Sequence, residues 1–347
     1  MKALIGFVLT LCAFASPLAA QERVFPGRSW ETVNPASSGW NAQGLQQAYA
    51  YFQQIGSSSV VIVHNGRIVQ AWGDVVKPIK IHSARKSLMS ALYGIAVWQR
   101  RVNLDWTLEQ LRVDDLAPSL TPQEKQARVR DLLKARSGIY HEAAAETRSM
   151  RDRRPQRGSH APGTFWYYNN WDFNVLGAIL RNVTGEDTFA AFENYFARPL
   201  GMEDFTARHG QYATIRASQY PAYHMWFSAR DLARFGWLFA NGGKWGDRQI
   251  VPAEWVAEST KAWSPNARRG IAYGYMWWVS ERGLQYQTNT GPDSFSARGS
   301  GGQILIVSPA RGIVVAHLNN QEENEKLERG EFDKLLQLIY AAAPPER

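Results

Sequence analysis

Cysteine is all but missing from this chain. The single one, Cys12, lies in an amino-terminal apolar run. Positions 21–347 therefore carry no thiol, which excludes disulfides, thiol nucleophiles and cysteine-ligated zinc there. Long apolar runs are missing too, and no segment after the first twenty residues could span a bilayer. No Gly-x-Ser-x-Gly elbow occurs, which argues against an α/β-hydrolase. There is no Walker loop and no dinucleotide fingerprint. The histidines, His64, His82, His141, His160, His209, His224 and His317, show no metal-ligand spacing. No metal and no cofactor is expected. Acidic residues are outnumbered, with 31 Asp and Glu against 39 Lys and Arg, for a net charge of +8. The longest basic cluster, Arg148–Arg157, has no regular stripe of interleaved aromatics. It reads as a solvated loop, and nucleic acid is not an expected partner.

What is present begins with an export segment. Met1–Ala20 opens with Lys2, continues through an apolar run from Ala3 to Ala15, and ends in the small residues Ala19 and Ala20. That is the form of a cleaved signal peptide and predicts a periplasmic or secreted protein. Leu11 stands before Cys12 where a lipid-anchor signal wants a small residue. The remainder, 21–347, can bury one large core. Fourteen tryptophans supply that core and candidates for lining a cleft.

The predicted elements fall into three blocks. A helix over Asn41–Gln54 carries Leu45, Ala48 and Phe52 at helical spacing. Strands over Ser58–His64 and Arg67–Gly73 flank Asn65-Gly66, the strongest short hairpin signal. A helix over Ser83–Gln99 opens a mostly helical middle, with further helices at Arg128–Ala135, Phe173–Asn182, Thr188–Tyr195, Ser228–Ala240 and Pro252–Thr260. Asp187, Ser228 and Pro252 mark the starts of the last three. Strand signals return at Tyr273–Ser280, Leu284–Gln287, Phe295–Arg298, Gln303–Val307 and Ile313–Asn319, before a closing amphipathic helix over about Glu325–Ala342. The pattern predicts an α+β fold. One antiparallel sheet is built from both chain ends (about 21–82 and 265–347) with flanking helices. A helical region (about 83–264) is inserted between the second and third strands.

Three short motifs carry chemistry. Ser83-Ala84-Arg85-Lys86 is the one Ser-x-x-Lys in the chain. Positions i and i+3 share a helix face, so the lysine amine can reach the serine hydroxyl. A serine at a helix start also meets unpaired N–H groups able to hold an oxyanion. A lysine acting as base must be neutral, which requires burial or a nearby cation, because its ordinary pKa is about 10.4. Tyr168-Asn169-Asn170 places a phenol and an amide just before a helix. The phenol could relay a proton, and Asn170 could donate to an acyl carbonyl. Phe295–Gly299 reads as a strand ending in the turn Gly299-Ser300-Gly301-Gly302, where glycine lets a substrate approach the strand edge. Each pattern alone is at chance level.

Their order is not. Ser-x-x-Lys, then Tyr-x-Asn, then a strand triplet resembles the serine β-lactamase and penicillin-binding-protein superfamily. Val129–Leu133 with Ser137-Gly138-Ile139 fits that pattern. So do Pro162-Gly163-Thr164, Asn174–Gly177, Ser228–Gly236 and Gly301-Gly302-Gln303 through Val315. The likeness runs from about Trp40 to the last helix. It looks closest to the class C β-lactamase-like branch, which includes esterases and aminohexanoate-dimer hydrolases. The resemblance implies that Ser83 is a nucleophile forming an acyl-enzyme, with Lys86 and Tyr168 handling protons. It implies an oxyanion hole from the N–H groups of Ser83 and Ser300, and Asn170 positioning the acyl group. The expected substrate is a small amide or ester. A sensing module that acylates without turnover, or a true β-lactamase, is the alternative. The third motif departs from the family, since Ala297-Arg298-Gly299 stands where Lys-Thr-Gly is usual. Arg298 is the candidate replacement for the lost positive charge.

Overall fold

The computed structural model of the chain describes residues 23–268, 270–323 and 327–346. The export segment expected over 1–20 lies outside them. Helix α1 (Ala42–Gln54) starts on Asn41, whose side chain accepts from the Gly44 N–H, and it buries Leu45, Ala48 and Phe52. Strands β1 (Ser59–His64) and β2 (Arg67–Gly73) follow. His64 pairs with Arg67 across a two-residue turn. Both turn residues are left-handed, Asn65 at φ 50° and Gly66 at φ 86°. Asn-Gly adopts that backbone at little cost, which fixes the hairpin register.

The short strand β3 (Ile79–Lys80) and the tight turn His82–Ala84 lead into α2 (Arg85–Trp98). The middle of the chain holds α3 (Val129–Leu133) and α4 (Asn170–Thr184). A hairpin, β4 (Gly210–Ile215) and β5 (Ser218–Phe227), and helix α5 (Ala229–Ala240) complete it. The last part supplies β6 (Ser264–Arg268), β7 (Ile271–Tyr273), β8 (Trp278–Ser280), β9 (Phe295–Gly299), β10 (Gln303–Ser308) and β11 (Ile313–Leu318). Helix α6 (Arg329–Ala342) follows.

The main sheet runs β2-β1-β11-β10-β9-β8-β7-β6, with antiparallel neighbours throughout. Both ends of the chain therefore build it, as the strand pattern predicts. Its central strands are buried on both faces. Val60, Ile62, Ile304, Ile306, Ile313 and Val315 pack with α1 and α6, against Phe52, Phe332, Leu336 and Ile339. Val61, Val63, Leu305, Val307, Val314 and Ala316 belong to the larger core shared with the inserted region. This is why β1, β10 and β11 read as unbroken apolar runs rather than alternating ones. Helix α5 lies on that second face. A Cβ at its Gly236 would sit 2.6 Å from Val314 Cγ1 and 2.8 Å from Leu305 Cδ1, so only glycine allows the helix this close.

Two features of the middle region differ from the sequence reading. The span 83–264 is not purely helical, because β3, β5 and β4 form a small sheet of their own. The strand expected over Tyr273–Ser280 is a hairpin instead. Met276 turns left-handed at φ 61°, and Trp278 folds back onto Tyr273. The caps hold, since Ser228 accepts from the Asp231 N–H and Asp187 from Phe189 and Ala190. The basic cluster is partly structural. Arg154 pairs with Glu146, and Arg157 grips Glu124 with two nitrogens at 3.0 and 2.8 Å.

Candidate active site

Ser83 sits in the turn that joins the small sheet to α2. The turn is anchored from both sides, with the Ile81 N–H donating to Met225 O and the Ala84 N–H to Ile81 O. His82 holds φ 44°, a conformation that non-glycine residues keep only where their surroundings impose it. Ser83 remains partly exposed, whereas the following helix is almost wholly buried. A reachable hydroxyl thus lies at the first turn of a central helix, where backbone N–H groups lack intrahelical acceptors.

One helical turn on, Lys86 Nζ lies 2.8 Å from Ser83 Oγ. Lys86 is 1% exposed. Its amine lies 4.8 Å from the Tyr168 ring centre and 4.9 Å from that of Phe173. No carboxylate contacts it among the described residues. Burial, reinforced by the charge of Arg85, holds the amine well below its ordinary range. A neutral amine beside a hydroxyl is what proton abstraction from serine needs.

Tyr168 closes the triangle. Its phenol is pushed up by burial, the largest effect, against the opposing pull of the nearby Ser83 hydroxyl, Arg85 and Arg268. The two shifts run in the sense that favours a neutral amine and a protonated phenol side by side. The Tyr168 ring stacks on Trp278 at 5.5 Å and packs on Phe173 at 5.1 Å. The loop carrying it is fastened from below. Asp172 accepts from Ser137 Oγ at 2.5 Å and from Asn169 Nδ2 at 2.8 Å, and Ser137 in turn holds the Ile139 N–H.

Asn170 is buried, and its amide nitrogen donates to Ala145 O at 2.6 Å. The atom left without a partner is Oδ1. The amide nitrogen expected to meet an acyl group is thus engaged with the backbone carbonyl of Ala145. The third motif lies beside the nucleophile turn. Gly299, at the end of β9, packs so closely on Ile81 and His82 that a side chain has no room. Ser300, Gly301 and Gly302 form the turn to β10, with Ser300 exposed. Arg298 is turned along the sheet. Its Nε donates to Ser296 Oγ at 2.8 Å and its Nη2 to Gln285 Oε1 at 2.6 Å, and the guanidinium lies 4.3 Å from the Tyr286 ring centre. His82 is held down to about 4 by burial, Lys80 and Arg85, with the Gln321 side chain acting in the opposite sense. It is neutral at physiological pH.

The sequence reading missed the Asp172–Ser137–Asn169 bracket, the Trp278 platform and the buried Arg85. The first two come from residues far apart in sequence with no shared spacing. Arg85 was in plain view between Ser83 and Lys86 but occupies a position the motif leaves free.

A two-ended antiparallel sheet over an inserted helical part, with a Ser-x-x-Lys helix at the join, defines the class of serine β-lactamase and penicillin-binding-protein-like hydrolases. The sequence matches the Beta-lactamase family over residues 43–338, and the chain belongs to that family. Among curated relatives it is 22% identical to an Escherichia coli O157:H7 protein named "Putative D-alanyl-D-alanine carboxypeptidase", covering 92% of this chain and 91% of that one. Among solved structures it is similar to a "Putative 6-aminohexanoate-dimer hydrolase" from Bacillus anthracis, with TM-score 0.64, 18% identity, and 90% and 86% of the two chains covered. It is also similar to a family VIII carboxylesterase, with TM-score 0.62, 18% identity, and 86% and 97% covered. At such identities the structures share the fold.

Proposed function

We propose that this protein is an exported serine acyl hydrolase that cleaves a small amide or ester through an acyl-enzyme on Ser83. The observation that carries the proposal is the 2.8 Å approach of a buried, carboxylate-free Lys86 amine to the partly exposed Ser83 hydroxyl. In this mechanism Lys86 takes the Ser83 proton as Oγ attacks the substrate carbonyl. The oxyanion is met by backbone N–H groups of Ser83 and Ser300. The proton passes to the leaving amine or alcohol through Lys86 and Tyr168, and the C–N or C–O bond breaks. Water then attacks the ester, giving a proton to Lys86, which passes it to Ser83 Oγ as the acyl C–Oγ bond breaks and the acid leaves. The curated and structural relatives bear names of amide and ester hydrolases, which supports this substrate class. The Lys2-led apolar segment supports export.

Efficient β-lactam hydrolysis is disfavoured, because Arg298, the cation nearest the missing Lys-Thr-Gly, is committed to Ser296 and Gln285. Intact mass after treatment with a fluorophosphonate and with a penicillin, beside turnover of p-nitrophenyl esters, tests the proposal. Adducts and turnover that vanish in Ser83→Ala are expected. Adducts that persist in Ser83→Ala would overturn the choice of nucleophile. Acylation that stops at one equivalent would point to a sensing module instead.

A further inference from the structure

Arg85 is a charge in the wrong place for a structural residue. It is 1% exposed. Its Nη1 donates to His82 O at 2.9 Å, while Nε and Nη2 have no hydrogen-bond partner among the described residues. No carboxylate pairs with it among the described residues. What lies against it is the Tyr223 ring, 5.0 Å from the guanidinium carbon. Arginine cannot shed its proton to escape this situation. A buried, unpaired cation destabilises a fold, and the other fully buried arginine, Arg234, lies 3.7 Å from a carboxylate of Glu203. Perturbed and uncompensated charges collect at functional sites.

Its position says what the charge acts on. Arg85 lies between the nucleophile and the lysine in sequence. Its one hydrogen bond fastens the carbonyl of the left-handed His82, the residue before Ser83. The groups around it come from every neighbouring element. Lys80 lies on β3, His82 in the turn and Lys86 on α2, while Tyr223 and His224 lie on β5 and Tyr168 on the loop before α4. Arg85 pushes Lys80, His82, Lys86 and His224 down and stabilises the ionised form of Tyr168. Arg268 on β6 acts on Tyr168 in the same sense. His82 and His224 are held neutral here, and the standing charge beside Lys86 is that of Arg85, which opposes a second positive charge on the amine.

We propose that Arg85 is a positioning residue of the acyl-transfer site. Its guanidinium pins the turn that presents Ser83 and, as an uncompensated cation beside Lys86, keeps a second positive charge off the site. This rests on the acyl-hydrolase reading above. In that reading Lys86 must be unprotonated when Ser83 loses its proton, and Arg85 supplies the standing charge that favours this state. A fixed guanidinium suits the task better than a lysine would, since a buried lysine can neutralise itself.

The test separates the two roles. Arg85→Gln keeps a donor for His82 O but removes the charge, and Arg85→Met removes both. The readout is the pH profile of kcat/KM for a p-nitrophenyl ester, with fluorophosphonate labelling of Ser83 as the reference. In both variants the acid limb should move to higher pH by a unit or more. The loss relative to wild type would then be about tenfold deeper at the acid end than on the alkaline plateau. The plateau should be lower in Arg85→Met than in Arg85→Gln. A pH-independent loss, with the acid limb where the wild type has it, would overturn the inference and leave the acyl-hydrolase reading intact. Absence of Ser83 labelling in the wild type would overturn both. If neither variant folds, titration of Lys86 in the wild type by NMR of isotopically labelled lysine decides. A Lys86 amine that titrates in the ordinary lysine range overturns the proposal, and one below it is the expected result.

Discussion

Gly299→Ala should disable the site while leaving the fold largely in place. Gly299 ends β9 beside the nucleophile turn. A Cβ there would fall well under 3 Å from the Ile81 carbonyl oxygen, 2.9 Å from Gln303 Cβ and 3.2 Å from His82 Cβ. Carbon–oxygen contacts settle at about 3.3–3.6 Å. The strand end and the turn must therefore separate by about 1 Å. The obstacle is backbone on the Ile81 side, and that backbone is held by its bond to Met225 O. Overpacking of this kind costs about 1–3 kcal/mol. The catalytic consequence should be larger. A displacement of ~1 Å between reacting groups can cost about 100-fold in rate, and here it opens the gap between Ser83 and the Ser300 N–H. The assay is the second-order rate of Ser83 acylation by a fluorophosphonate, measured with the melting temperature. Gly330→Ala serves as control, because a Cβ at Gly330 meets nothing within 4 Å. Acylation should fall by about two orders of magnitude in Gly299→Ala and stay unchanged in the control. Wild-type acylation together with an unshifted melting temperature would refute the claim that this strand end is locked against the nucleophile turn.

Three further outcomes are expected. Tyr168→Phe removes the phenol hydroxyl beside the Ser83–Lys86 pair but keeps the ring on Trp278. Turnover of p-nitrophenyl esters should drop by about 10²-fold or more, with a melting temperature close to wild type. Asp231, fully buried, accepts from the N–H groups of Glu203, Asp204 and Phe205 at 2.9, 2.8 and 2.8 Å. Asp231→Ala leaves all three without this acceptor and should cost roughly 3 kcal/mol or more, read by urea denaturation. Burial holds His317 down to about 4 in the folded chain, against about 6.5 when unfolded. Between those values the unfolded state binds the extra proton, so stability falls as pH drops from 6.5 towards 4, by roughly 3 kcal/mol from this residue. His317→Gln should flatten that part of the stability–pH curve, and an unchanged slope would count against the assignment.

How far the sequence carried the reading depends on where the determining contacts lie. The hairpin at Asn65-Gly66 was legible because two adjacent residues dictate its backbone. Ser83 and Lys86 were legible because a helix converts a three-residue spacing into proximity. The β4–β5 hairpin was not. Its turn residues, Arg216 and Ala217, carry no turn signature, and Pro221 sits within β5. Pro221 is tolerated because β3 pairs only with Trp226 and Phe227, leaving the strand one neighbour at that point. The break at Met276 was hidden because the left-handed residue is a methionine in an otherwise strand-like run. At the third motif, alternation along β9 puts Arg298 with Ser296, and only the tertiary arrival of Gln285 and Tyr286 shows where the guanidinium goes. The buried role of Arg85 was illegible for a related reason. Burial of a charge is decided by what folds over it, and Tyr223 lies far along the chain.

The position of β11 has a consequence for how the protein comes into being. This strand is the last in sequence, yet it sits between β1 and β10 in the middle of the sheet. A growing chain that has not yet emitted Ile313 holds two exposed strand edges where its sheet centre should be. Nothing earlier in the sequence can fill the gap, so assembly waits on contacts spanning some 250 residues, a topology that folds slowly and exposes sticky edges meanwhile. A premature stop before β11 therefore does not trim the molecule but removes its keystone. Such a truncated product is destined for chaperones and proteases rather than for partial activity.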